Sequence, residues 1–350
     1  MNNPFTLTFG TVPELFISRP MLTNRILEDF TSAKSSSRTY MITGVRGSGK
    51  TVMLTEIART LRQRTDWIAV ELNPEEDLMD SLAAKLFNLE KARPLFIKAK
   101  INISFAGAGV SLESADPGIT SEVAVEKMLS VLAKHNKKLL ISIDEAVNNE
   151  FIKRFAHSYQ IFIRQEYPLY LIMTGLYENI YDLQNEKTLT FLYRVPRMRL
   201  EPLDISMIAH TYVQHFDITD KKAMEMAKLT NGYPFAFQVL GYIRWENMKS
   251  SWNRILQEFD HYLSEYIYDK IWYELGDKEK QVVLVLSSSD SYMKIQAIRE
   301  KMGMSSSLFS TYREKLIRKG LVDTSRYGYL GLILPRFRDY AIRRNEIENL

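Results

Sequence analysis

Apolar positions in this chain follow two rhythms. Short runs of consecutive apolar or β-branched residues read as buried strands, and stretches with apolar residues three to four apart read as helices. The first run is Thr39 to Thr43, followed by a helical pattern over about Lys50 to Arg64. Further strand-like runs lie at Trp67 to Leu72, Leu139 to Ile143 and Pro168 to Leu176. In Leu192 to Asp204, Arg197 and Arg199 alternate with Val195, Pro196, Met198 and Leu200, as in a last sheet strand with one polar face. Ile101, Ile103 and Phe105 alternate with polar residues ahead of Gly107, Gly109, Val110 and Leu112, the pattern of a β-hairpin. Whether that hairpin is a contact arm or only packs at an edge stays open. After Pro202 the pattern turns helical to about Leu275. The aromatic-rich stretch from Trp245 to Leu275 reads as amphipathic helix with core aromatics, not as a base-stacking platform.

The loop after the first strand carries chemistry. Gly44-Val45-Arg46-Gly47-Ser48-Gly49-Lys50-Thr51 fits G-x-x-x-x-G-K-[ST]. Glycines let backbone N–H groups approach phosphate oxygens with no Cβ in the way. The helix that follows points its positive end at the same anion. The candidate nucleotide contacts are therefore Gly44 to Thr51 with Val52 behind them; Lys50 reaches the β- and γ-phosphates and Thr51 ligates Mg²⁺. A metal-holding carboxylate is available in "KKLLISIDEA", Lys137 to Ala146. Asp144 and Glu145 stand at the C-terminal end of that strand, the edge where open α/β sheets bind ligands. Asp144 is assigned to Mg²⁺, and Glu145 to orienting and deprotonating the attacking water. The plainer reading is a solvated acidic pair after a strand.

These motifs resemble the P-loop ATPases of the additional-strand, catalytic-glutamate type, within the AAA+ and STAND group. More narrowly, the chain resembles the archaeal and bacterial ATPases related to origin-recognition initiators. The resemblance implies an α/β P-loop NTPase core with a parallel sheet in order 5-1-4-3-2, a helical lid and a C-terminal winged helix. It implies ATP and Mg²⁺ as cofactors and a strand 168–176 lying between the P-loop and Asp-Glu strands. Thr174 then takes a sensor-1-like place, and Arg194 stands where many relatives put an arginine finger. Thr174 also reads as a strand-end residue satisfying its own turn, and edge arginines also serve as ion pairs or guards against edge pairing. In "FGTVPELFISRP", Pro13, Phe16 and Arg19 match the family's adenine-side segment, with Ser18 where Gly is common. Adenine contact is assigned to backbone near Val12 to Ile17; an arm packed on the core is the alternative. Gly232-Tyr233-Pro234 resembles the Gly-x-Pro signature of STAND ATPases, where the proline helps close the lid; Pro at N1 after a Gly turn is also good helix-start chemistry. No sensor-2 arginine stands out, which favours a slow switch over a ring motor.

The last segment patterns as three helices, about Glu279 to Ser287, Ile295 to Met302 and Ser306 to Lys319. Two short strands follow, "LVDTS" and "YLGLIL", joined through Arg326-Tyr327-Gly328. Three helices and a β-wing spell a winged helix. Its third helix carries Tyr312, Arg313, Lys315, Arg318 and Lys319, with Arg326 on the wing, as candidate contacts to double-stranded DNA. Winged helices also dock on protein. Charge bears on the choice: Gly276 to Leu350 holds 14 Lys and Arg against 9 Asp and Glu, a net +5, so the rest of the +4 chain carries −1. A clustered basic excess points toward phosphate, though solvated helix faces would give the same count.

Composition narrows the remainder. The 350 residues are 45% hydrophobic and 25% charged, as in an ordinary globular protein. No cysteine is present, which excludes a disulfide scaffold and cysteine zinc sites. The five histidines show no metal-ligand spacing, and no Ser/His/Asp triad stands out. "MNNPFTLTFG" reads as no secretory signal, and no apolar run suits a membrane span; a cytoplasmic address is expected. The expected division is a P-loop core over 1–200 with a hairpin insertion near 98–119, a lid over 201–275 and a winged helix over 276–350. The expected function is a Mg-dependent ATPase, slow, acting as a nucleotide switch associated with DNA. The alternative is a signalling-type STAND switch whose winged helix docks on a partner protein, with slow or no hydrolysis. An oligomer is compatible with either.

Overall fold

Apolar runs too short for helices and buried on both faces can only satisfy their backbones in the middle of a sheet. In the computed structural model, which describes residues 2–8, 13–101, 103–106, 109–112 and 120–349, they do so within one of two compact units. That unit comprises Ser18–Thr43 and Lys50–Arg199. Its strands are β1 (Thr39–Thr43), β2 (Trp67–Leu72), β3 (Ile103–Ala106), β4 (Gly109–Leu112), β5 (Lys138–Ile143), β6 (Leu169–Gly175) and β7 (Arg197–Arg199). Five of them form a parallel sheet in order β2-β5-β6-β1-β7. Counted without the hairpin pair, this is the order 5-1-4-3-2 that the resemblance implies. β3 and β4 pair antiparallel with Ile103 opposite Leu112; Gly107 of the expected hairpin, and the 113–119 part of the expected insertion, lie outside the described residues.

Strand alternation divides the sheet's side chains between its faces. Tyr40, Ile42, Trp67, Ala69, Leu140, Tyr170 and Ile172 share one face by register. There the rings of Phe30, Tyr40, Trp67 and Tyr170 pack together, with Phe30 coming from helix α1 (Pro20–Thr31). Helix α2 (Lys50–Arg62) follows the loop after β1. It stops two residues short of the expected Arg64, where Arg64 turns back to pair with Asp66 at 3.1 Å. The opposite face, with Met41, Val70, Ile141, Leu171 and Met173, shares one buried cluster with helices α3 (Leu78–Asn88), α4 (Arg93–Lys98), α5 (Ser121–Lys134), α6 (Glu150–Arg164) and α7 (Tyr177–Gln184). β7 is shorter than the run suggested: Thr190–Arg194 forms a 3₁₀ turn, and only Arg197–Arg199 joins the sheet.

The other unit comprises Met1–Ile17, Gly44–Gly49 and Leu200–Leu350. Helices α8 (Ile205–His215), α9 (Asp220–Leu229), α10 (Pro234–Glu246), α11 (Trp252–Leu263) and α12 (Asp269–Tyr273) carry its first part. The helical pattern expected through Leu275 contains a π turn at Ser264–Tyr268. Then come α13 (Asp277–Ser287), β8 (Met293–Lys294), α14 (Ile295–Met302), α15 (Ser306–Arg318), β9 (Val322–Asp323), β10 (Tyr329–Leu332) and α16 (Phe337–Glu348). Ser305 caps α15 by accepting from Leu308 N at 3.3 Å. The three short strands form a sheet in order β8-β10-β9. Sequence patterning missed β8, which is two residues long, and α16, whose buried residues are only Phe337, Tyr340 and Ala341. A single buried cluster runs through this unit from Phe5 to Ala341. Phe5 stacks on Phe216 at 5.6 Å and meets Phe237 edge-on at 5.6 Å. No helix among the described residues is long and apolar enough to cross a membrane.

The packing can be tested at two places. A Cβ at Gly241 would lie 2.3 Å from ring carbons of Phe5, so Gly241→Ala must displace a fully buried ring. Overpacking of this kind costs roughly 1–3 kcal/mol, measurable by denaturant unfolding; an unchanged midpoint would refute the close packing. The second place is Asp29, which accepts from Ser36 N at 2.6 Å, Ser37 N at 2.9 Å and Tyr40 Oη at 2.7 Å, anchoring the chain just ahead of β1. Burial pushes its pKa up, but the hydrogen bonds from Tyr40, Ser36 and Ser37 outweigh that and hold it below its usual value. A depressed carboxylate stabilises the fold above its unfolded pKa of about 4, and the contribution is lost as pH falls through the folded value. Asp29→Asn should therefore melt below wild type at pH 7, with the gap closing in acid; a gap constant with pH would count against this.

Candidate functional site

Parallel pairing sets β1, β5 and β6 with their carboxyl ends at one sheet edge. Asp144 and Glu145 follow β5 directly, Thr174 lies near the end of β6, and Lys50 and Thr51 open α2. The Asp144 carboxylate is their meeting point. Thr51 Oγ1 donates to Asp144 Oδ2 at 2.6 Å. Thr174 Oγ1 donates to Asp144 Oδ1, and Glu145 N donates to the same oxygen at 3.0 Å. Glu145 N also approaches Thr174 Oγ1 at 3.4 Å.

The turn bearing Glu145 is pinned from below. Ala146 N donates to Thr174 O at 2.7 Å. A Cβ on Gly175 would come within 3.0 Å of Ala146 O and of Ile180, so a glycine at the end of β6 lets the turn approach. Glu145 adopts a left-handed backbone with φ 53°, a conformation that costs energy for a residue with a Cβ and recurs at functional sites. Its side chain is exposed, Asp144 is half-buried and Thr174 is fully buried. Lys50 is buried to 9% exposure at the start of α2, while Thr51 is exposed and Val52 half-buried.

The loop Gly44–Gly49 bends through two left-handed glycines, Gly47 at φ 69° and Gly49 at φ 89°. Ser48 N closes a turn on Val45 O at 3.2 Å. A Cβ on Gly44 would lie 2.3 Å from Ser48 Oγ. Ser48 Oγ is buried and has no hydrogen-bond partner among the described residues, a costly state for a hydroxyl unless something else supplies the bond. Arg46 turns outward to pair with Glu274 at 3.0 Å. The start of α10 rests on the loop: Tyr233 Oη donates to Arg46 O at 2.5 Å, and Phe235 N to Gly47 O at 3.2 Å. Pro234 between them occupies the first turn of α10. Sequence reading picked out the Gly232-Tyr233-Pro234 motif but assigned nothing to Tyr233; its place between a left-handed Gly232 (φ 71°) and a helix-starting proline was the available signal.

The remaining candidates stand on other elements. Pro13 is half-buried in the N-terminal arm, where Gln238 Nε2 donates to Leu15 O at 2.6 Å; Val12 of the expected adenine segment lies outside the described residues. Arg194 ends the 3₁₀ turn and is exposed, and no hydrogen bond or ion pair among the described residues joins it to the Asp144 group. On α15, Tyr312 and Arg313 are half-buried, and Arg318 pairs with Glu314 at 2.5 Å. Lys319 donates to Glu274 O at 3.1 Å and lies 4.0 Å from Glu279. Lys315 and Arg326 are exposed, each near a tyrosine ring, Tyr312 at 5.6 Å and Tyr329 at 3.9 Å.

The donor set suits a hard cation. A hydroxyl and a carboxylate on adjoining elements are oxygen ligands of the kind Mg²⁺ takes alongside phosphate oxygens. Among the described residues no group of three or more His, Cys, Asp and Glu could hold a metal by itself.

Comparison with known proteins gives the fold independently. Residues 265–341 match a family model described as a domain of unknown function (DUF8462). No curated protein matches the chain. Among solved structures it is similar to the Walker-type ATPase paby2304 of Pyrococcus abyssi, at 15% identity over 94% of this chain and 96% of that one, TM-score 0.65. It is similar to the ORC2 protein of Aeropyrum pernix in ADPNP-ADP complexes, at 11% identity over 97% and 98%, TM-score 0.60. Cdc6p of Pyrobaculum aerophilum is similar at 14% identity over 97% of each chain, TM-score 0.50. With the sheet order and the glycine loop, these likenesses establish that the chain has the P-loop fold of the archaeal Walker-type and origin-recognition ATPases.

Proposed function

We propose that the protein binds Mg-ATP at Gly44–Thr51 and hydrolyses it slowly, acting as a nucleotide switch. The observation that carries this reading is the Asp144 carboxylate, which accepts from Thr174 and from Thr51, the residue that closes a stretch fitting G-x-x-x-x-G-K-[ST]. The loop N–H groups and Lys50 hold the phosphates. Thr51 and Asp144 would hold Mg²⁺, which neutralises charge on the β- and γ-phosphates. Thr174 fixes the Asp144 carboxylate and is in place to bond the attacking water. Glu145, exposed on its left-handed turn, orients that water and takes its proton as the γ-phosphoryl departs. Pro13 is assigned to the adenine side, Pro234 to closing the lid on the nucleotide, and Arg194 to a γ-phosphate contact, on the resemblance alone.

The chain is proposed to divide into a core over 1–200, a lid over 201–275 and a winged helix over 276–350. The latter is read as contacting duplex DNA. Exposed Lys315 and Arg326 and the clustered basic excess support this. The pairing of Arg318 and Lys319 within the molecule favours the second reading, a switch whose winged helix docks on protein.

ATP binding and turnover test the first part. Lys50→Ala should weaken ATP binding about tenfold or more, since it removes a charge-assisted hydrogen bond. Glu145→Gln should bind within twofold of wild type and turn over about a hundredfold more slowly. Equal turnover by wild type and both variants would end the enzyme reading. For DNA, the slope of log affinity against log salt is about −0.9 for each phosphate that the protein neutralises. Lys315→Ala with Arg326→Ala should flatten it by about two units; no salt-dependent DNA binding by wild type would leave the protein-docking switch.

A further inference from the structure

We infer that Tyr233 is a positioning residue for the phosphate-binding loop, acting through the main chain of Arg46 and never touching the nucleotide. The inference rests on the nucleotide reading above and adds to it a named device that holds the loop in shape. A loop of this kind binds phosphate with its N–H groups, so its carbonyls point elsewhere and need partners of their own. Here two successive carbonyls receive them from the start of α10. Tyr233 Oη donates to Arg46 O at 2.5 Å, and Phe235 N donates to Gly47 O at 3.2 Å.

The bond to Arg46 O also acts on the binding face. A trans peptide is planar, and its C=O and N–H point in opposite directions. Fixing Arg46 O therefore fixes the direction of the Gly47 N–H in the same peptide. The loop would otherwise have considerable freedom there, since Gly47 and Gly49 have no side chains to restrict them. Tyr233 suits the task because its own freedom is gone. The residue is 5% exposed, Pro234 fixes the chain after it, and Gly232 O before it accepts from Leu203 N at 2.7 Å. The approach is so close that a Cβ at Gly47 would lie 2.5 Å from Tyr233 Oη and 2.9 Å from Phe235 Cβ. Gly47 is thus required twice, by its positive φ and by the hydroxyl seated against it. The neighbouring Arg46–Glu274 pair, partly exposed, could not orient the peptide in this way, because it acts through a long flexible side chain.

Tyr233→Phe tests this, since it removes one oxygen and keeps the ring. Loss of a single buried hydrogen bond predicts an increase of about three- to tenfold in the dissociation constant for Mg-ATP and in KM. Turnover at saturation should stay within twofold, because no group at the Asp144 centre has moved. Hydrogen exchange provides a second readout that needs no nucleotide: amides of residues 46–49 should exchange faster in the variant, while those of α8 and α9 keep wild-type rates. Unchanged affinity, tighter binding, or a lowered melting temperature with wild-type affinity and loop exchange would each overturn the inference. Lys50→Ala in parallel separates two failures. If Lys50→Ala weakens ATP binding and Tyr233→Phe does not, only the positioning role falls. If wild type binds no ATP, the nucleotide reading falls and the inference with it.

Discussion

The candidate chemistry depends on one carboxylate held by three donors. Asp144 accepts from Thr51, Thr174 and the Glu145 amide, and these come from three separate segments of the chain. Only a parallel sheet with β6 between β1 and β5 brings the carboxyl ends of those segments to one edge. The arrangement satisfies a half-buried charge that would otherwise be costly to place there. It also sets the carboxylate against the hydroxyl that opens α2, which is where a phosphate-bound cation would need an oxygen ligand. Gly175 and the Ala146–Thr174 backbone bond complete the support, holding Glu145 in a conformation it would not choose in isolation.

In the other unit, α10 is the common anchor. Its buried residues include Ala236, Phe237, Gln238, Val239, Leu240, Gly241 and Ile243, so it is covered on nearly every side. Phe5 of the N-terminal arm lies against Gly241, and Gln238 ties the arm at both Thr6 N and Leu15 O. The same helix begins with the residues that meet the glycine loop. A change in the loop's main chain would therefore be felt by a buried, tightly packed element rather than by a flexible surface.

The basic excess of the C-terminal segment looks different once its partners are seen. Arg336 grips Asp260, Arg338 pairs with Asp290, and Arg344 with Glu348. Arg318 and Lys319 are likewise engaged by Glu314, Glu279 and the Glu274 carbonyl. Much of the positive charge thus meets acceptors inside the unit, two of them, Asp260 and Glu274, preceding the segment counted. The exposed basic residues of the segment are Lys278, Lys294, Lys301, Lys315, Arg326 and Arg343, with Arg326 next to the fully exposed Tyr327.

The five core strands, the glycine loop with Lys50 and Thr51, and the Asp144-Glu145 pair were all legible from residue order alone. Each is a local signal: a buried strand needs contiguous apolar residues, and a phosphate loop needs glycines at fixed spacing. The same holds for α14, α15 and the strands β9 and β10, because serine caps and glycine stops act within a few residues. Folding in three dimensions was needed to bring Thr174 and Thr51 to one carboxylate, Tyr233 to the Arg46 carbonyl, and Lys319 toward Glu274. It also produces β8 and α16, which are too short or too weakly apolar to register as patterns and exist through what they pack against. One cause underlies all of these: hydrogen bonds between residues distant in sequence follow from the order of strands and the approach of helices, which no local spacing encodes.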